Sequence, residues 1–146
     1  MRTLRRNQQT MKYALSDEVV PIYVLDEEGN KIVDFIDEDG NIYYRETGNH
    51  RIKWKLPVDF FGNIAMSGGE AEAQEFGLSV GDYNAVIVVD KGSVPIVEGS
   101  LIWLKSEVKY LDNENTDVDE TSADFRVIKA SESLNEMKYI LKAIVK

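Results

Sequence analysis

The chain has 146 residues and a mass of 16.6 kDa, with 26 acidic against 17 basic side chains, a single histidine and no cysteine. That length, with 43% hydrophobic residues, predicts one domain with a real core. The missing thiols exclude disulfide scaffolds, thiolate metal sites and cysteine nucleophiles, and His50 alone cannot supply two imidazoles to a metal. No stretch has the form of a secretory signal or the roughly 18 apolar residues of a membrane span, so a soluble cytoplasmic product is expected.

The net charge of −9 is unevenly distributed. Residues 1–12 carry Arg2, Arg5, Arg6 and Lys12 with no acid. This basic leader reads either as an arm that docks on another protein or as a loose, solvated end. It reads as lacking core-forming residues, so its removal is expected to weaken assembly or docking and leave the fold intact. Residues 13–50 carry ten acids against Lys31 and Arg45. An acidic body of this kind opposes general binding to nucleic acid.

Strand signals then dominate. Val19–Leu25, Lys31–Ile36 and Ile42–Arg45 are separated by Asp26-Glu-Glu-Gly-Asn30 and Asp37-Glu-Asp-Gly-Asn41. The Gly-Asn pairs predict tight turns, and the whole predicts a three-stranded acidic elaboration over about 19–45. Pro21 places its strand on an edge or at a bulge. Arg51–Leu56 alternates charge with apolar side chains, and Val58–Met66 follows as a strand. After Ser67-Gly68-Gly69, the run Glu70-Ala-Glu72-Ala-Gln-Glu75-Phe76 has good helix formers, with Gly77 placed to end a helix. Ala85–Val89 is continuously apolar, as a strand buried on both faces would be. Val94–Val97, Leu101–Leu104, a strand reaching about residue 110, Asp124–Lys129 and Met137–Val145 complete the set, with an acidic loop at 112–120 and a turn at 131–136. Trp54 and Trp103 read as core or interface aromatics. The pattern is mainly β: a small β-barrel or sandwich over residues 1–146, with long loops and one or two short helices.

Candidate sites are sparse. Asp37, Glu38 and Asp39 superficially resemble a calcium loop but lack its helical flanks and its twelfth-position Glu, since Gly48 stands there. Residues 112–120 lack the glycine that bends such loops. Ser67, Gly68 and Gly69 before a short helix offer backbone N–H groups to a phosphate, yet Glu70, Glu72 and Glu75 would repel it. A loop presenting Glu70–Phe76 to a partner is the better functional reading, beside that of an ordinary turn. No serine or paired carboxylate accompanies His50 at catalytic spacing, so no catalytic residue, metal or cofactor is nominated. The interaction candidates are Arg2, Arg5, Arg6, Lys12, Ser67, Gly68, Gly69, Glu70, Glu72, Glu75 and Phe76.

The stretch Pro57-Val-Asp-Phe-Phe-Gly-Asn-Ile-Ala-Met-Ser-Gly-Gly-Glu-Ala-Glu-Ala-Gln-Glu-Phe-Gly-Leu-Ser-Val-Gly-Asp-Tyr-Asn84 resembles the central part of head-tail connector proteins of tailed bacteriophages and prophages of Gram-positive bacteria. Gly92–Trp103, Ser122–Ile128 and Ser133–Leu141 resemble later parts of the same head-closure (stopper, or head-tail joining) proteins, and the basic leader fits their order of elements. The acidic hairpins at 26–46 depart from the shorter members as an insertion. The resemblance implies a non-enzymatic β-barrel subunit of the virion neck, assembled in the host cytoplasm. It implies a homo-oligomeric ring, hexameric or dodecameric, that joins the portal or its adaptor to the tail and closes the DNA channel without sequence-specific contact or membrane association. Acidic walls would keep DNA from sticking. Another neck or tail component, an adaptor or tail terminator, is the first alternative, and a soluble acidic binding protein such as a DNA mimic is the second.

Overall fold

The structure is a computed structural model and describes residues 9–66 and 83–144. It is mostly β, with 57% of the described residues in strands or bridges. In chain order the strands are β1 (Gln9–Ala14), β2 (Ser16–Tyr23), β3 (Val33–Ile36), β4 (Ile42–Tyr44), β5 (Glu46–Trp54), β6 (Val58–Met66), β7 (Ala85–Asp90), β8 (Leu101–Trp103), β9 (Phe125–Glu132) and β10 (Glu136–Ala143). One 3-10 turn, Glu120–Ser122, precedes β9. The chain divides into two compact units, residues 17–53 and the remainder.

The larger unit is a closed six-stranded barrel in the order β1-β6-β7-β10-β9-β8, antiparallel throughout. β1 closes it. Tyr13 stands opposite Val58 of β6 on one side and opposite Ile102 of β8 on the other. Alternation decides what fills the interior, because successive side chains on a strand point to opposite faces. Met11 and Tyr13 point inward with Phe60, Ala85, Ile87, Val89, Ile102, Phe125, Val127, Tyr139 and Leu141. Tyr13 and Phe60 meet edge to face at 5.6 Å. Gly62 makes room for this packing: a Cβ there would lie 3.0 Å from Val89 and 3.3 Å from the end of Met11.

Part of the outer wall is covered too. Leu101 and Trp103 of β8 pack with Ala14, Trp54, Val118 and Ala123, while Val86 and Ile140 pack with Tyr83. The apolar run at 85–89 is therefore sandwiched on both faces, as its composition predicts. Trp54 and Trp103 are both buried. Within the outer layer, the Ser122 hydroxyl accepts from Trp103 Nε1 at 3.1 Å and from the Lys109 N–H, and donates to the Asp119 carbonyl.

Four sequence expectations are corrected here. Residues 9–12 of the basic leader belong to β1, and Met11 is a core side chain, so the stretch is not a dispensable arm as far as Lys12. Val94–Val97 is not a strand: Pro95 cannot donate to a ladder, and Val97 is held in a turn by the Ser100 hydroxyl and N–H. β8 ends at Trp103 rather than near 110, and β9 runs on to Glu132, so the turn before β10 is shorter than the sequence implies. The expected helix at 70–76 lies outside the described residues.

Deleting the chain through Lys12 removes most of the closing strand and is expected to abolish the cooperative thermal transition followed by circular dichroism. The milder Met11→Ala should lower the unfolding free energy by about 2–5 kcal/mol in urea titration, and Gly62→Val by about 1–3 kcal/mol through overpacking.

Candidate functional site

Of the sequence-nominated interaction residues, only Lys12 is among those described. Arg2, Arg5, Arg6, Ser67, Gly68, Gly69, Glu70, Glu72, Glu75 and Phe76 lie outside them. Lys12 sits on the outer face of β1 with its Nζ 2.6 Å from Asp59 of β6. Both side chains are exposed, and such a pair contributes little stability.

The unit at 17–53 holds the features that the sequence did not nominate. β2 pairs with β5, and β3 pairs separately with β4. The expected three-stranded meander is thus a branched structure. At the branch the Val24 N–H donates to the Arg45 carbonyl (2.8 Å), the Arg45 N–H to the Ile32 carbonyl (2.8 Å), and the Ile32 N–H to the Val24 carbonyl (3.2 Å). This cycle of three bonds ties together the β2–β5 pair, the turn at 26–30 and the β3–β4 ribbon. Tyr23 and Tyr44 meet edge to face beside it at 6.0 Å, and the Lys31 ammonium stands 4.4 Å and 5.3 Å from their ring centres.

Both acidic turns are built alike. Asp26 accepts from the Glu28 and Asn30 N–H groups, and Asp37 from those of Asp39 and Asn41, each through one carboxylate oxygen. The N–H of each Asp donates to the carbonyl of the Asn four residues on. Gly29 and Gly40 take φ of 85° and 84°, which a side chain would strain. Asp37 also receives the Asn41 amide and the Tyr43 hydroxyl, and these bonds, the Asn41 backbone first, hold its carboxyl below its ordinary pKa. Of the carboxylates that resembled a calcium loop, Asp37 is the one that serves the turn.

No residue of 17–53 is buried. The β3–β4 ribbon exposes Val33, Phe35, Ile36, Ile42 and Tyr43, each between 45% and 60% accessible. Phe35 and Tyr43 face each other across the strands and stack at 4.6 Å, while the next pair, Ile36 and Ile42, lies on the opposite face. Apolar side chains at adjacent positions 35/36 and 42/43 carried a signal in the sequence, because a half-covered strand alternates instead.

The other perturbed acids close loops in the barrel unit. Asp112 accepts from the Thr116 hydroxyl and from the Thr116 and Asp117 N–H groups, and the Thr116 hydroxyl leads in lowering its pKa. Asp124 accepts from the N–H groups of Leu104, Lys105 and Ser106 and from the Ser106 hydroxyl. Burial pushes the Asp124 carboxyl up, but these bonds, the Ser106 hydroxyl first, outweigh it and hold the group at about 2 against an ordinary 3.8. His50 lies exposed on β5. Among the described residues no group of three or more His, Asp and Glu is arranged to hold a metal ion.

No protein-family model, no curated protein and no solved structure matches the chain.

The depressed Asp124 pKa has a defined consequence. Its stabilisation is present above the unfolded value near 4 and is lost as pH falls from there through about 2. Allowing for solvent screening of a partly exposed carboxylate, the loss is on the order of 1 kcal/mol. Urea titrations at pH 5 and pH 2 should show Asp124→Asn less stable than the parent at pH 5, with the difference shrinking at pH 2.

Proposed function

We propose that the protein is a structural subunit of a tailed-phage neck, a head-closure protein whose copies form a ring between the portal or its adaptor and the tail. The observation that carries this reading is the closed barrel, the architecture that the connector resemblance implies, joined in one chain to a β-unit with no buried residue of its own. Closure leaves the barrel without an edge strand, since each strand is paired on both sides over part of its length, and this limits association of copies by adding strands to that sheet. The 17–53 unit keeps open edges and exposed apolar side chains, and a two-stranded ribbon is at best marginally stable alone in water. A subunit of this kind suits an assembly in which neighbours supply the missing contacts. The net charge of −9 supports a channel wall that does not retain DNA. The neck of the virion, assembled in the host cytoplasm, is the location that this reading gives the protein.

Electron cryo-microscopy of the purified protein and of virions tests it. The expected result is a ring, hexameric or dodecameric, lying between portal and tail. A protein that stays monomeric even with its portal and adaptor, and that is missing from the neck, would overturn the reading.

A further inference from the structure

We infer that the Asp39–Gly40 bond is a site of spontaneous isomerisation to a β-linked isoaspartyl bond through a cyclic succinimide, and that Asp37, by closing the turn around it, sets the rate. The inference is independent of the neck reading above.

Of the ten glycines in the chain, Gly40 alone follows an aspartate, and none follows an asparagine. The reaction needs that pairing. The backbone nitrogen of Gly40 attacks the side-chain carboxyl carbon of Asp39: the N–Cγ bond forms, the Cγ–OH bond breaks, and the hydroxyl leaves with the amide proton as one water. A second water then opens the five-membered ring. Opening at Cγ restores aspartate, whereas opening at the α-carbonyl carbon routes the backbone through the former side chain and frees the α-carboxylate. Water is the sole co-reactant. Glycine permits the attack because no Cβ crowds its nitrogen, and at Gly40 nothing lies within 4 Å of where a Cβ would stand. Asp39 is exposed on the same turn.

The closed turn opposes the attack. The Gly40 N–H donates to the Asp37 carbonyl at 3.1 Å, and the N–H groups on either side, those of Asp39 and Asn41, donate to Asp37 Oδ1 at 3.0 Å and 2.8 Å. Attack requires the peptide plane between residues 39 and 40 to rotate and the Gly40 nitrogen to give up its proton, so the reaction proceeds from the open turn. Asp37 is the latch on that opening. The twin turn provides a comparison within the molecule. There the Gly29 N–H donates to the Asp26 carbonyl at 3.0 Å, and the Glu28 and Asn30 N–H groups donate to the Asp26 carboxylate at 2.9 Å. Glu28 precedes that glycine, however, and its longer side chain would have to close a six-membered ring, which forms far more slowly.

The product differs from the parent in shape. A β-linkage adds a methylene to the backbone inside a turn that is closed by the Asp37 N–H on the Asn41 carbonyl at 3.0 Å and buttressed by the Tyr43 hydroxyl on Asp37 at 3.2 Å. Isomerisation therefore releases the end of the ribbon where Ile36 stands opposite Ile42.

Peptide mapping by mass spectrometry tests the site, after warm incubation of the full chain in neutral buffer made with oxygen-18 water, which leaves one heavy oxygen at each residue that has passed through the succinimide. Uptake is expected at Asp39 in the parent, faster in the chain unfolded with urea, and absent in Asp39→Glu. Asp37→Ala should raise the rate in the folded chain about fivefold, the effect of losing a hydrogen bond or two to an exposed carboxylate. Asp26→Ala, which removes the same latch from the twin turn, should leave the rate at Asp39 unchanged. Circular dichroism melting checks that the barrel stays folded in each variant. No uptake at Asp39 even in the unfolded chain would overturn the site. A folded parent as fast as the unfolded chain would overturn protection by the turn. An unchanged rate in Asp37→Ala, or an equal rise in Asp26→Ala, would overturn Asp37 as the latch.

Discussion

The rest of the structure depends on a six-residue strand bonded on both sides. β1 pairs with β6 through Gln9–Tyr13 and with β8 through Lys12–Ala14, so it is the stave that turns an open sheet into a barrel. Closure fixes register around the whole ring, because a one-residue slip anywhere would turn an inward side chain outward. Met11 and Tyr13 face the interior only in this register, and the room that Met11 needs is made by Gly62 on the adjacent strand. The residues that follow β1 are tied down as well: the Lys55 N–H donates to the Leu15 carbonyl, so the chain leaves the barrel for residues 17–53 and re-enters it at a bonded pair.

Much of this was legible in the sequence where the signal was local. Ala85–Val89 lacks polar interruptions because both its faces are covered. The two Gly-Asn turns fall where the sequence places them, and Pro21 lies in a strand of a two-stranded sheet, where a missing N–H is tolerated. What was not legible was pairing at a distance. The partner of β2 is β5, beyond two intervening turns, and no local pattern distinguishes that pairing from a meander with the nearer β3. The start of β1 was obscured for a different reason. Met11 and Tyr13 alternate with Thr10 and Lys12 at strand spacing, but the positive charge of Arg2, Arg5 and Arg6 continues to Lys12, four residues into β1, and leaves no compositional boundary at Gln9. As for the nominated partner surface, the acids at 70–75 lie outside the described residues, whereas the exposed apolar pairs of the ribbon had a readable signature that composition alone obscured.

The acidity also takes on a different meaning once its bonds are known. Asp26, Asp37, Asp112 and Asp124 each accept two or more N–H groups that turns and loops leave without a helical or sheet partner. Aspartate suits this task because its short side chain reaches backbone N–H groups two to five residues on, as at Asp26, Asp37 and Asp112. Asp124 works over a longer span, drawing the segment after β8 against the start of β9. Part of the charge that reads as an electrostatic field in the sequence is therefore loop architecture.

This division separates structural acids from those available to a partner. In the two hairpin turns the aspartates at 26 and 37 are committed to the backbone, while Glu27, Glu28 and Glu38 stand exposed between them and the glycines. Glutamate at these central positions adds charge without being needed for the turn, since the carboxylate that closes each turn belongs to its first residue. The cyclic backbone contact at Val24, Ile32 and Arg45 then holds the two turns on one branched framework with the aromatic pair of the ribbon. Barrel closure acts in the same direction. Each barrel strand is bonded on both sides over part of its length, whereas the ribbon presents exposed apolar and acidic side chains together on a two-stranded sheet.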